Sequence, residues 1–321
     1  MSLFAAKAMS PTVEGMVGSS RAISKLRAYL PKLAVSNANV LITGQTGVGK
    51  ERVAQAIHHS GPRRDKPFIS VNCGAIPDTL LESELFGHER GAYTGADGVS
   101  PGKIRMAEGG SVFLDEIGEM SAHGQATLLR VLENREIYPL GGCKMIRTDA
   151  RFIAATNQDL ERLVVAGKFR QDLFFRLNVA RIHLPPLTER KEDIADLLLF
   201  FLNQYRETTG HCVEGFTPEL MKCFLYYDWP GNVREIRNLV EAIFIDPPRG
   251  LVSFENLPDT FARIFQKNPD DTSNERDRIF SALCKANWNK TKAADLLKMS
   301  RMTLYRKMSK LNVKYKDRSA A

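Results

Sequence analysis

Long apolar runs are missing from this chain of 321 residues. The longest, LLLFFL at 197 to 202, is far short of the roughly 20 residues that a membrane-crossing helix needs. The opening MSLFAAKAMS has no extended apolar segment of the kind a secretory signal carries. A cytoplasmic protein without a membrane span is expected. Cysteine is scarce as well: Cys73, Cys143, Cys212, Cys223 and Cys284 are the whole set, with no CxxC pair and no histidine at zinc-ligand spacing. That argues against a disulfide framework and a structural metal, and leaves ordinary reduced, buried thiols. Tandem repeats and low-complexity tracts are absent. Against these gaps stands a hydrophobic content of 43%, ample for a core and for two domains, or one large domain with an appendage.

Acidic charge is what the C-terminal segment lacks. Residues 276 to 318 hold 13 Lys/Arg against 3 Asp/Glu, a balance of +10 in a chain of net charge +8, so the remainder is slightly acidic. Such a segment reads as a solvated basic helix or as a nucleic-acid surface. From Asn39 to Pro186 short β-branched or apolar runs (VLITG, FISVNC, SVFLDE, RFIAATN, ARIHLP) alternate with helical stretches. This is the pattern of an α/β fold with a parallel sheet flanked by helices. After LPPLTER only helical periodicity remains, in EDIADLLLFFLNQYRET, TPELMKCFLYYD and NVREIRNLVEAIFI, which predicts an all-α subdomain. QKNPDDTSNE at 266 to 275 is polar and proline-containing and reads as a linker.

VLITGQTGVGKE sets β-branched and apolar residues directly before Gly44, Gln45, Thr46, Gly47, Val48, Gly49 and Lys50, with the helical ERVAQAIHH after them. A strand, a glycine-rich turn and a helix N-terminus let backbone N–H groups cradle phosphates while the lysine neutralises the β and γ charges. The position after the lysine, Ser or Thr in the general phosphate loop, is Glu51, so Mg2+ must lean more on water and on an acid elsewhere. That acid comes from GGSVFLDEIGEM, a strand ending in Asp115 and Glu116 at the sheet edge where such folds bind ligands. Asp115 would hold Mg2+, and Glu116 would position or polarise the water that attacks ATP; the plainer reading is a surface turn with two solvated acids. Asn72 and Asn157 also end strands. Each reads as a turn cap or, beside a nucleotide, Asn157 as a γ-phosphate sensor and Asn72 as a hold on Glu116. In KFRQDLFFRLNV, Arg170 and Arg176 stand six apart, about 240° around a helix. They read equally as surface arginines and as fingers reaching a neighbouring subunit's phosphates.

GAYTGA, from Gly91 through Ala92, Tyr93, Thr94 and Gly95 to Ala96, has no lysine and no strand before it, so it is not a phosphate loop. Its glycines allow a short, sharply bent hairpin with Tyr93 and Thr94 at the tip. Alone it reads as a surface turn; with its aromatic exposed it suits a transient protein contact. In the tail, DRIFSALCKAN, KTKAADLLK and RMTLYRKMSKL read as helices, with Ser300 as N-cap of the last. Only Lys298, Met299 and Ser300 separate the second from the third, which is helix-turn-helix spacing. Ala293, Ala294, Leu297, Leu304 and Met308 would pack its core. Arg301, Thr303 and Arg306 are the candidates for a DNA major groove, with Lys290, Lys292, Lys307 and Lys310 nearer phosphates.

In order, GQTGVGKE, VNCGAIPDTLLESELFGHERGAYTGA, GGSVFLDEIGEM, ATNQDL, FRQDLFFRLNV, LPPLTER and WPGNVREIRNL resemble the bacterial enhancer-binding AAA+ ATPases that activate sigma-54 RNA polymerase. The run WNKTKAADLLKMSRMTLYRKM resembles the Fis-like DNA-binding domain that ends many of them. The resemblance implies an AAA+ P-loop NTPase with ATP and Mg2+ as cofactors. It implies Asn157 as first sensor, Arg234 of GNVRE as second sensor on a helical lid, and Asn72 as the switch between Glu116 and the GAYTGA loop. Arg170 and Arg176 would be fingers acting in trans within a ring, typically a hexamer. The loop from Gly91 to Ala96 would contact sigma-54 holoenzyme, and the tail would bind double-stranded enhancer DNA. The divisions expected are a leader at 1–14, the α/β subdomain at 15–186, the lid at 187–262, a linker at 263–275 and the helix-turn-helix domain at 276–321. Three departures stand out: Gln45 where the family commonly has Glu, Tyr93 where it has Phe, and Lys298 where Gly is frequent, so that a left-handed turn there carries a cost. The alternatives are an AAA+ remodeller of another DNA-bound substrate, such as a helicase loader, and a repressor that uses nucleotide only as a ligand. About 14 residues precede the ATPase, so either control by a separate protein or a removed sensory domain is expected.

Overall fold

The structure, a computed structural model, describes residues 16–93, 96, 98–265 and 274–311. The chain divides into two compact units between Pro186 and Leu187. In the first, α1 (Arg21–Val35) leads into β1 (Val40–Thr43), α2 (Lys50–His59), β2 (Phe68–Asn72), α3 (Asp78–Phe86), α4 (Lys103–Met106) and β3 (Ser111–Asp115). Then come α5 (Ala122–Asn134), the short antiparallel pair β4 (Glu136–Ile137) and β5 (Ile146–Arg147), β6 (Arg151–Thr156), α6 (Leu160–Val165), α7 (Gln171–Leu177) and β7 (Ala180–His183). Five strands form one parallel sheet in the order β2-β3-β6-β1-β7.

Alternate residues of each central strand feed two cores. Ile42, Phe113 and Ile153 pack with Leu30 of α1 and Ile57 of α2 on one face. Leu41, Leu114 and Phe152 pack with Leu85, Leu128 and Leu173 on the other. Burial on both faces is why these strands read as continuous apolar runs. Register then decides the site: Asn72 lies beside Asp115, and Thr43 beside Thr156, so the strand ends line up along one edge.

The second unit contains α8 (Asp193–Thr209), α9 (Pro218–Tyr226), α10 (Asn232–Ile243) and α11 (Asp259–Phe265). Against the purely helical expectation, β8 (Val213–Phe216) and β9 (Gly250–Val252) pair in parallel between them. They are too short for periodicity to reveal. Phe265, inside the expected linker, closes α11 and is buried. The unit ends with α12 (Glu275–Lys285), α13 (Lys290–Leu296) and α14 (Arg301–Lys310), whose core holds Ala293, Ala294, Leu297, Leu304 and Met308 as the spacing predicted. Helix α12 sits on the lid: Phe280 stacks on Tyr226 at 5.3 Å, and the Arg276 guanidinium donates to both oxygens of Asp228 at 2.7 and 3.0 Å.

No helix among the described residues is long and apolar enough to cross a membrane. All five cysteines are free; Cys73, Cys223 and Cys284 are buried as expected, but Cys143 and Cys212 are exposed. Both exposed cysteines occur in polar loop sequence, where a small thiol has nothing to pack against.

Candidate functional site

The turn between β1 and α2 carries Gly44 to Glu51, and its last glycine, Gly49, caps α2 at φ 106°, a backbone region that disfavours any side chain. Lys50 opens the helix and is 7% exposed. Its Nζ donates to Gly44 O at 3.0 Å and to Glu116 Oε1 at 3.4 Å. Gln45 and Thr46 are exposed, Gly44, Gly47 and Gly49 half-buried, and Val48 buried in the core beneath. Glu51 points along its own helix and accepts from Gln55 Nε2 at 3.4 Å.

Opposite this turn, β3 delivers Asp115 and Glu116. Asp115 Oδ1 accepts from Glu116 N at 3.0 Å. Burial raises the Asp115 carboxyl above the usual carboxylate range, the negative Glu116 adds to this, and Lys50 opposes it. A carboxylate destabilised in this way favours a nearby hard cation, and no cluster of three or more His, Cys, Asp or Glu occurs among the described residues. This donor set fits Mg2+, which binds through one or two carboxylates with substrate phosphates and water filling the rest. Glu116 itself adopts φ 51°, ψ 48°, the left-handed region that a non-glycine residue avoids. The strain aims its carboxylate across the strand ends, where Oε2 accepts from Asn157 N at 3.1 Å. Asn157 Nδ2 in turn donates to Thr46 Oγ1 at 3.0 Å. Lys50, Glu116, Asn157 and Thr46 therefore form one connected chain over the phosphate loop.

The hold of Asn72 on Glu116 is not made. Asn72 Oδ1 instead accepts from Gly74 N at 3.0 Å and Ala75 N at 3.1 Å, closing the turn after β2. These two bonds seat the amide in the turn, and Nδ2, the group that would have to donate to a Glu116 carboxylate, makes no bond to it. Behind it, Cys73 is an inert thiol, pushed up to about 12 by burial and by Asp115 and Glu116.

Arg170 is not helical. It is the N-cap of α7 at φ −72°, ψ 132°, so the helical angle between Arg170 and Arg176 does not apply. Arg170 forks onto Asp172 at 3.1 and 2.8 Å, while Arg176 donates to Leu132 O at 3.4 and 3.3 Å; both are exposed. A residue that the sequence reading passed over places Arg170: Gln125, 1% exposed, accepts from Arg170 N at 2.9 Å and donates to Met120 O and Lys168 O. Its only sequence signal is a polar residue on the apolar face of α5.

Beside the GAYTGA segment, His88 and Ser100 exchange backbone bonds at 3.0 and 2.9 Å. Gly91 turns at φ 83°, and Gly91 N donates to Ala96 O at 2.9 Å. Ala92 is half-buried, Ala96 buried and Tyr93 38% exposed; Thr94 and Gly95 lie outside the described residues. In the second unit, Arg234 is exposed on the first turn of α10. On α14, whose first turn holds no acidic residue, Arg301, Arg306 and Lys310 are exposed, and Lys292 is exposed on α13. Three candidates have other work. Thr303 shares the cap, its Oγ1 2.9 Å from Ser300 Oγ; Lys307 pairs with Glu275; and Lys290 Nζ sits 4.8 Å above the Tyr305 ring.

A parallel sheet with a phosphate loop and paired acids on its edge, followed by a lid and a helix-turn-helix, defines an α/β P-loop NTPase of the AAA+ class joined to a DNA-binding type of domain. Residues 16–183 match the Sigma-54 interaction domain, 188–274 the AAA+ ATPase lid domain, and 274–311 the Bacterial regulatory protein, Fis family. The chain is 44% identical over 302 residues to the Transcriptional regulatory protein ZraR of Escherichia coli strain K12, covering 92% of this chain and 68% of that protein. It is 42% identical over 306 residues to the Nif-specific regulatory protein of Klebsiella pneumoniae, covering 92% and 58%. The solved structure of NtrX from Brucella abortus in complex with ATP superposes with a TM-score of 0.75 at 33% identity, covering 92% of this chain and 69% of that one. This chain belongs to the sigma-54-dependent transcriptional activators.

Proposed function

We propose that this chain hydrolyses ATP with Mg2+ and uses the cycle to remodel the closed complex of sigma-54 RNA polymerase, working in the cytoplasm from enhancer DNA held by its C-terminal helices. The observation that carries this reading is the chain of contacts from Lys50 through Glu116 and Asn157 to Thr46. Lys50 would exchange Gly44 O and Glu116 for nucleotide phosphates, which frees one Glu116 oxygen to orient water. Asn157, already bonded to both the loop and Glu116, would register the γ-phosphate. Asp115 would hold Mg2+, whose chemistry when bound is to neutralise phosphate charge. Asn72, and Arg170 and Arg176 from a neighbouring copy in a ring, typically a hexamer, would complete the site, and Arg234 keeps the role of second sensor that the family resemblance implies. NtrX, similar along 92% of this chain, was solved with ATP and with ADP.

In this reading Gly91 to Ala96 form the sigma-54 contact. Arg301, Thr303 and Arg306 would face the DNA major groove, and Lys290, Lys292, Lys307 and Lys310 its phosphates. The loop lies away from Lys50 in sequence and carries no group suited to hydrolysis, so work at the loop and work at the phosphates should separate. Thr94→Ala is expected to retain ATP turnover and lose sigma-54-dependent transcription in a purified system. Loss of both together counts against an effector loop.

A further inference from the structure

Three side chains, from α3 and from the segment that follows it, meet beside GAYTGA. Ser83 of α3 is 4% exposed, and its Oγ lies 2.7 Å from His88 Nδ1 and 3.5 Å from Tyr93 Oη. The Tyr93 ring stands edge-on to the His88 imidazole, centroids 5.2 Å apart at 67°. A serine hydroxyl has one proton to give. Ser83 Oγ can therefore give its proton to only one of His88 and Tyr93 and must accept from the other, which makes the three groups one linked set.

The backbone beneath is fixed on two sides. His88 exchanges both bonds with Ser100, Leu140 N donates to Gly87 O at 2.9 Å, and Glu89 N donates to Leu140 O at 2.9 Å. His88 is thereby anchored to the β4–β5 hairpin as well as to the loop. Tyr93, five residues on and 38% exposed, owes the orientation of its ring to the two side chains below it. A 3.5 Å hydroxyl contact is weak alone; an edge-to-face aromatic contact of this geometry adds to it.

We propose that Ser83 and His88 are positioning residues for Tyr93: they seat the phenol and set which edge of it is presented to a protein partner. The proposal rests on reading the loop as the sigma-54 contact, but it concerns the free chain and is tested there first. Nitration of Tyr93 by tetranitromethane, followed by mass spectrometry in the full chain without partner, reports how firmly the ring is seated. Ser83→Ala and His88→Asn should each shift the Tyr93 rate about two- to tenfold from the wild-type value, the range of a modest hydrogen bond or ring contact. Tyr29 and Tyr305, themselves exposed, should react at unchanged rates, and basal ATP turnover should not move. Equal Tyr93 rates in the wild type and both variants overturn the proposal.

Capture of sigma-54 supplies the second arm. Tyr93→Phe keeps the ring and deletes the hydroxyl that Ser83 holds, so it cannot fail by unfolding the core. Ser83→Ala added to Tyr93→Phe should change capture less than it does in the wild type, because part of what Ser83 holds is already gone. Fully additive effects contradict a positioning role. If the nitration rates shift and no variant or wild-type chain captures sigma-54, the partner assignment fails and the positioning of Tyr93 stands.

Discussion

Glu116 concentrates the residue-scale argument. Its left-handed backbone is a cost that the surrounding strands impose, and its return is a carboxylate bonded at once to Lys50 and to the amide of Asn157. Glu116→Gln keeps shape and removes the charge. The account predicts a fall in ATP turnover of about 10²- to 10⁴-fold, the usual span for a positioned general base, with nucleotide binding retained. Phosphate release and equilibrium nucleotide binding measured side by side check it; loss of binding with turnover per bound nucleotide unchanged contradicts it. The places of Lys50 at the start of α2 and of Asp115 and Glu116 at the end of β3 were legible in the sequence, from the glycine-rich turn before the first and the apolar run before the other two. The state of Asn72 was not. A strand-end asparagine has two uses, and the choice between them is made by the folded turn, where the N–H groups of Gly74 and Ala75 hold it.

Elements carry the next level of prediction. The turn between α13 and α14 closes with Met299 N donating to Ala294 O and Lys298 N to Asp295 O, both at 3.0 Å, with Lys298 left-handed at φ 51°. Glycine normally fills this position. Lys298→Gly should therefore stabilise the domain by roughly 0.5–1 kcal/mol, read as a higher midpoint of its unfolding transition; a lower midpoint contradicts the assignment. The seam between α9 and α12 gives a pH test. A hydrogen bond from Arg276, and then one from Lys191, hold the Asp228 carboxyl below the usual carboxylate range against the pull of burial. A depressed carboxylate contributes stability that is fully present above its unfolded pKa of about 3.9 and is lost as pH falls through the lower folded value. Calorimetry should show the wild-type midpoint insensitive to this pair from neutral pH down to about 5, then falling in stronger acid. Asp228→Asn should lower the neutral midpoint and flatten that acid limb; an unchanged limb removes Asp228 as its source. Helices and the three-residue turn of the basic tail were readable from caps and spacing. The order β2-β3-β6-β1-β7 was not, since periodicity fixes that strands are parallel and buried but not which of them are neighbours.

At the scale of the whole molecule, charge and chemistry are segregated. The phosphate loop, the paired acids and the GAYTGA segment belong to the first unit, and the basic helices to the second. In the proposed function, catalysis, partner contact and DNA binding thus fall to separate elements of one chain, as an ATP-driven activator requires. The measurement that bears most directly on that claim is promoter opening: sigma-54 holoenzyme on a sigma-54 promoter with this chain's DNA site upstream, assayed by strand reactivity with and without ATP. The account predicts opening that requires ATP and is lost with Glu116→Gln. A chain that assembles and hydrolyses ATP yet leaves the promoter closed would contradict it.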